Sequence, residues 1–314
     1  AILVGNTAYQ AGNFSGAATG LSLLLGGDGK MWVAGSAVIA VIAMASGRFR
    51  LIQQVLMVLV ALMSVVFLAA CVMVWPHLRA LSAQAFRPVI PDAGLWAILA
   101  LLGTTVVPYN LFLHARAVQE KWSEDTPVDE ALSDARWDIA VAVSLGGLLS
   151  AAILLTAVAT FYRGGQAPER LGEIAESLAP LVGSAARAHF ACGHFAAGLT
   201  SAITAPRAAA LATSGCLGWG RDWKDLRFRA TAVGVALVGA AGALFGGSPK
   251  AIILFAQAAN GLLLPIIAVL LLVAMNRRSL MRDQVNHWLP NLVGGLIIAL
   301  IVVMSLRKLL LVFL

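Results

Sequence analysis

The sequence predicts an all-α, polytopic membrane protein, and three observations carry that reading. Hydrophobic residues make up 60% of the 314 residues. Charged residues are only 12%, where a soluble domain carries about 25%. Nine apolar runs follow one another on short connections, most of them near the roughly 20 residues that cross a bilayer. No stretch is left over for a soluble domain, so residues 1–314 are read as a single transmembrane domain.

The first span, 2–25, is apolar but carries Asn6, Gln10 and Asn13 at i, i+4 and i+7, on one helix face. Gly5, Gly12, Gly16 and Gly20 let a neighbouring helix approach closely. The amide face is either interhelical hydrogen-bond glue or the lining of a pore. The second span, 31–47, is short, and the third runs over 51–74. The connection from Pro76 to Gly94 is rich in Pro, Gly and charge, and has room for a surface helix.

The fourth span, 95–121, holds the stretch that organises the chain: Gly103-Thr104-Thr105-Val106-Val107-Pro108-Tyr109-Asn110-Leu111-Phe112-Leu113-His114. Pro108 removes a backbone donor and clashes with the preceding turn, which frees carbonyls near Thr104 and Thr105. In lipid, such groups are tolerated only where protein or a water-filled cavity satisfies them. A helix broken at mid-membrane is a common way for transporters to build an ion site. The alternative is a proline-kinked structural helix.

The remaining spans are 137–162, 186–215, 227–246, 251–275 and 288–311. The connection from Arg163 to Ala185 also has room for a short helix. The sixth span is read as interrupted at Pro206 and Arg207, after a small-residue face from Gly198 to Ala205. His189, Cys192 and His194 suggest metal ligands by type, but His189 and His194 are five apart and point to different faces, so no metal site is expected there. In the eighth span, Gln257 and Asn260 lie about one turn apart, before Gly261 and Pro265, and can meet the broken helix.

The net charge of +7 does not point to nucleic acid, because the basic residues sit in short loops between spans. Nine spans divide the loops into a set with 13 Lys and Arg and a set with 9. The richer set belongs in the cytoplasm, with the N-terminus. The cluster Glu120, Glu124, Asp125, Asp129, Glu130, Asp134 and Asp138 lies in one cytoplasmic connection and reads as a solvated face. No carboxylate falls at membrane depth, so a metal pathway made of these spans relies on carbonyls, amides and hydroxyls. Cys71, Cys192 and Cys216 form neither a disulfide nor a zinc framework. No nucleophile–base pair appears, so an enzyme is not expected. The Met-less start at Ala1 reads as a piece of something longer.

The stretch Thr105 to His114 resembles the sixth-helix motif of the natural-resistance-associated macrophage protein (Nramp) family of divalent-metal transporters. Gln257 to Pro265 resembles that family's tenth helix, and Thr200 to Pro206 its eighth. The resemblance implies a leucine-transporter-like fold of two inverted five-helix repeats. On this match the spans correspond to the third through eleventh helices. Residues 1–75 complete a first repeat, 95–275 form the second and 288–311 add a C-terminal helix. The first two helices, with the family's Asp-Pro-Gly-Asn metal motif, are then expected upstream, and this stretch alone is not expected to transport.

The departures from the family pattern are as informative. Val107 stands where manganese and iron carriers have a methionine ligand, and Tyr109 where they have a histidine. Gln10 and Asn13 stand at two acidic proton-route positions. This is similar to the family's magnesium-transporting branch, in which proton coupling is thought to be lost. A thioether favours softer metals, and oxygen favours hard ones.

The expected function is therefore alternating-access transport of divalent ions, Mg²⁺ ahead of Mn²⁺, with an amino-acid or other organic-substrate carrier of the same fold as the alternative. The metal contacts carried over are Thr104 and Val107 through freed backbone, and Gln257 through its side chain. Tyr109, Asn110, Asn260, Gln10, Asn13 and His114 are expected to line the pathway, with His114 a possible relay. The ion is substrate, no cofactor is expected, and the partners are the ion and the lipid bilayer. The expected state is a monomer in the cell (inner) membrane.

Overall fold

A computed structural model describes residues 2–46, 49–79, 94–105, 107–122, 126–162, 168 and 171–313. All regular elements among them are helical: α1 Ile2–Leu25, α2 Gly29–Ala45, α3 Phe49–Arg79, α4 Leu95–Thr105, α5 Pro108–Lys121, α6 Val128–Ala157, α7 Ala186–Leu217, α8 Leu226–Phe245, α9 Pro249–Met275 and α10 Trp288–Phe313. α6 runs on into a π-helical turn, Val158–Tyr162. The connection before α7 holds a 3₁₀ segment, Leu171–Leu178, and a helical turn, Ala179–Val182. The connection expected from Pro76 to Gly94 lies largely outside the described residues.

Each of the nine apolar runs is occupied by helix, but not all of them cross a membrane by length and composition alone. Among the described residues, five do: Leu51–Val74, Val128–Phe161, Leu226–Phe245, Pro249–Met275 and Trp288–Leu306. α1 and α2 pass together as a pair bent by 118°. The fourth run is divided between α4 and α5. α7 falls short because it is built of Ala, Gly, Ser, Thr and His rather than Leu and Val. It has no need of a greasy surface, because it sits inside the bundle with Phe190, Leu199, Ala202, Ala205 and Ala208 among its buried residues. The outer helices show the opposite pattern, with Val65, Val143, Leu145, Leu296 and Val303 more than half exposed.

α1 and α7 form the centre, and glycine sets their distance. A Cβ on Gly20 would stand 2.6 Å from both the Ala191 carbonyl oxygen and the Phe195 nitrogen. On Gly198 it would stand 2.5 Å from the Ala17 nitrogen. α8 and α9 close on the other sides of α1, where a Gly239 Cβ would meet Gln10 and a Gly12 Cβ would meet Ala256.

The sixth span departs from the sequence expectation. α7 is one continuous helix through Pro206. Proline at 206 has no N–H for the Ala202 carbonyl. The Gln10 amide of α1 supplies that bond instead, with Nε2 2.8 Å from the Ala202 oxygen. The helix therefore loses one internal bond without leaving a bare carbonyl in the core.

Asp28, Ser248 and Asp225 cap the starts of α2, α9 and α8. Asp28 accepts the Lys30 N–H at α2, and Ser248 accepts the Ala251 N–H at α9. Asp225 caps α8 and accepts from Arg227, Phe228 and Gly220. The Arg227 N–H foremost, with those of Gly220 and Phe228 and the Arg227 charge, holds its carboxyl below the usual Asp range. A depressed folded value means that this cap is intact above the ordinary Asp value of about 3.9 and is lost as pH falls through the lower folded one. Amide exchange at Gly220, Arg227 and Phe228 is therefore expected to quicken, relative to the intrinsic pH dependence, once acidification passes below the ordinary Asp range. Asp225→Asn is expected to flatten that dependence, and an unchanged profile in the variant would count against the cap.

Candidate functional site

The broken helix is built as the proline requires. α4 ends at Thr105 and α5 starts at Pro108, with Val107 extended between them at φ −82° and ψ 119°. The Asn110 N–H donates to the Val107 carbonyl at 3.0 Å, closing the first turn of α5. Two half-helix ends thus face one another: carbonyls of α4, partially negative, and amides of α5, partially positive. An end of this kind offers oxygen to a cation without any carboxylate.

Val107 is 5% exposed. It is packed with Tyr9 of α1, Ala205 and Ala208 of α7, and Leu113 of α5. The break is therefore backed by the segment of α7 that carries Pro206. The Asn6 amide reaches the same segment, at 3.5 Å from the Ala205 oxygen.

α4 lies against α9 through Gly103. A Cβ there would run into the Gln257 carbonyl oxygen and stand 2.6 Å from the Gly261 nitrogen. Backbone thus meets backbone one residue before Thr104. Gln257 is half-buried, and its Oε1 is buried and accepts no hydrogen bond. Asn260 is 1% exposed, with its Nδ2 unpartnered. Its Oδ1 lies 3.2 Å from the position of a Cβ on Gly5. An acceptor oxygen without a donor, beside the break, suits a cation.

The other expected positions fall in two groups. Gln10 is fully buried and bound to Ala202, and the Asn13 amide donates to Gln10 Oε1 at 3.1 Å. Gln10 thus joins α1 to α7, and Asn13 holds the Gln10 amide from within α1. Thr104, Asn110 and His114 are exposed, and the Thr104 hydroxyl donates back to the Ala100 carbonyl at 2.8 Å. The Tyr109 side chain lies outside what is described. The structure therefore sets Gly103, next to Thr104, against α9 at Gln257 and Gly261, beside Asn260, and packs Val107 at the break against α1 and α7. His114 lies further along α5. Among the described residues no three His, Cys, Asp or Glu side chains come together as a metal cluster.

Tyr9, Ala205, Ala208 and Gly103 belong to this arrangement and were not singled out from sequence as site residues. Gly103 was open to recognition, since a glycine in an apolar span signals close helix contact. The alanines give no local signal, because small apolar residues recur all along α7.

Three comparisons bear on this arrangement. The family profile described as natural resistance-associated macrophage protein-like (Nramp) matches residues 1–311. The divalent metal cation transporter MntH of Aeromonas hydrophila is 28% identical over 303 residues, covering 94% of this chain and 72% of that protein. The protein of the same name from Brucella suis is 30% identical over 312 residues, covering 93% of this chain and 66% of its own length. Among solved structures, the manganese transporter of Eremococcus coleocola, bound to an aromatic bis-isothiourea compound, superposes with a TM-score of 0.76. That match covers 98% of this chain and 69% of that one at 20% identity, so it speaks for the fold.

Proposed function

The chain belongs to the natural resistance-associated macrophage protein-like (Nramp) family, and from that premise we propose that it carries divalent metal ions by alternating access, Mg²⁺ in preference to Mn²⁺. Its helices take the leucine-transporter-like fold, in several spans through a membrane. The relatives named above are called divalent metal cation and manganese transporters, which supports the cation class and leaves Mn²⁺ as the competing ion.

The observation that carries the Mg²⁺ reading is the company of Val107. The described hydrophobic side chains clustered with it are Tyr9, Leu113, Ala205 and Ala208, with no Met or Cys among them. What the break offers is backbone oxygen, with the unpartnered Gln257 Oε1 on α9 as the side-chain acceptor. Mg²⁺ takes oxygen ligands and keeps several waters, whereas softer ions gain from a thioether. In this reading Thr104, Val107 and Gln257 contact the hydrated ion. Tyr109, Asn110, Asn260, Gln10, Asn13 and His114 border its route. The ion is cargo, and no cofactor or catalysis is involved.

The same proposal covers organisation: residues 1–75 and 95–275 as parts of two inverted repeats, 288–311 as an added helix, and a monomer in the cell membrane with its N-terminus in the cytoplasm. Strong proton coupling is not part of it, because Gln10 and Asn13 do not ionise.

The test is Val107→Met in the full-length protein, reconstituted in liposomes, with Mg²⁺ and Mn²⁺ competing for uptake. The added thioether is expected to move the preference towards Mn²⁺ by about tenfold, which needs only ~1.4 kcal/mol. Val107→Ala, which alters packing without adding sulfur, is expected to leave the ratio in place. An unchanged ratio in an active Val107→Met protein would remove Val107 from the ion's surroundings.

A further inference from the structure

The connection between α7 and α8 is short and chemically biased. Gly218, at a left-handed φ of 68°, ends α7, and α8 starts at Leu226. Arg221, Lys224, Arg227 and Arg229 all stand exposed here. Two half-buried tryptophans accompany them. The Arg227 guanidinium lies over the Trp219 ring at 5.6 Å, and Trp223 meets Phe228 edge-on at 6.3 Å.

The two carboxylates of the segment, Asp222 and Asp225, offset only part of its four positive charges and are turned towards backbone N–H groups, not towards the outward cations. Asp222 Oδ1 accepts the Lys224 and Asp225 N–H groups at 2.8 and 3.3 Å. Asp225 accepts those of Arg227, Phe228 and Gly220. Arg227 is held near Asp225 and Trp219, which leaves Arg221, Lys224 and Arg229 as the outward cations.

The location defines the partner. The loop joins the ends of two membrane helices, so it lies where hydrocarbon gives way to water, at the depth of lipid phosphates. Tryptophan favours that boundary. Guanidinium groups bind phosphate oxygens in a forked geometry, and basic segments beside a membrane are attracted to anionic lipid. A signal for topology alone needs charge, but neither a tryptophan seat nor carboxylates turned onto the backbone.

We propose that the loop from Trp219 to Arg229 is a binding surface for the phosphate headgroups of anionic phospholipids. Trp219 and Trp223 seat it in the interface, and Arg221, Lys224 and Arg229 gather the headgroups. Each cation contributes about fivefold to the preference for anionic over zwitterionic lipid. The preference falls as salt screens the charges.

The experiment uses the full chain in mixed micelles, titrated with phosphatidylglycerol or phosphatidylcholine, with thermal stability as the readout. Phosphatidylglycerol is expected to stabilise at far lower concentration. The triple variant Arg221→Gln, Lys224→Gln, Arg229→Gln is expected to lose most of that preference, up to about a hundredfold. All three side chains are exposed, so folding is expected to survive their change. A second triple variant, Arg277→Gln, Arg278→Gln, Arg282→Gln, removes the same charge from another exposed loop and is expected to keep the preference. Equal loss in both variants, no loss in the first, or an equal shift from inorganic phosphate alone would each overturn the proposal.

Discussion

Gly103→Leu is expected to unseat the first half of the broken helix from α9 and to cost at least ~3 kcal/mol of stability, the upper end of what overpacking of a close contact costs. The reason is what a side chain at this position meets. A Cβ alone runs into the Gln257 carbonyl oxygen and stands 2.6 Å from the Gly261 nitrogen. Neither is a flexible side-chain end. Relief requires α4 or α9 to translate, and α4 is also tied to α10 through Ile98 and Leu102 around Met304. A shift of α4 carries Thr104 and the break with it, so ion uptake in the full-length protein is expected to fall with stability. Gly103→Ala is expected to show the same defect in weaker form. Gly146→Ala is the matched control: a Cβ there meets nothing within 4 Å, and alanine favours the helix by roughly 0.5–1 kcal/mol. The measurement is thermal unfolding of the three variants in one detergent. A Gly103→Leu protein as stable as Gly146→Ala would mean that α4 and α9 are not in backbone contact.

The sequence carried the membrane class and the helix break, because each rests on a local signal. A Pro deep in an apolar run that starts at Leu95, followed by Tyr and Asn, can be read without any neighbour, and α4 and α5 part at Thr105 and Pro108. The course of α7 was not legible in the same way. Pro206 marks a lost internal bond, and only the partner's position tells whether the helix stops or continues. That partner is Gln10, 192 residues away in α1. The same distance in sequence hides the packing of Tyr9, Ala205 and Ala208 on Val107, since tertiary contact leaves no periodic trace in either segment. The spacing of Asn6, Gln10 and Asn13 set them on one face and left glue and pore lining both open. The structure shows Gln10 and Asn13 both buried, with Gln10 bonded across to the Ala202 carbonyl of α7 and Asn13 bonded to Gln10 within α1.

Gln10→Leu is expected to destabilise the α1–α7 contact strongly in the wild-type background and much less beside Pro206→Ala. In the parent, the Ala202 carbonyl has no helical donor, and Gln10 Nε2 fills that role at 2.8 Å. The Gln10 Oε1 in turn accepts from Asn13 Nδ2 at 3.1 Å. Gln10 is 0% exposed, so no water replaces either bond when leucine takes its place. An orphaned buried polar group costs about 1–3 kcal/mol. Two are created, although membrane proteins recover part of that cost because the unfolded chain in lipid also finds partners, and single interhelical bonds there average only ~0.6 kcal/mol. A loss near 2 kcal/mol is the balanced expectation. Pro206→Ala returns an N–H that bonds Ala202 within α7, so in the double variant only Asn13 is left unpaired. The two changes should therefore couple by ~1 kcal/mol or more, well above the additivity error of about 0.3–0.5 kcal/mol for independent sites. Ala205 and Ala208, which pack with Val107, flank Pro206, so the single Pro206→Ala variant is expected to alter ion competition at the break as well as stability. Unfolding by SDS titration of the four proteins in mixed micelles gives the cycle. Strict additivity would show that Gln10 does not stand in for the missing proline N–H, and that α7 is held through Pro206 by its glycine and alanine packing alone.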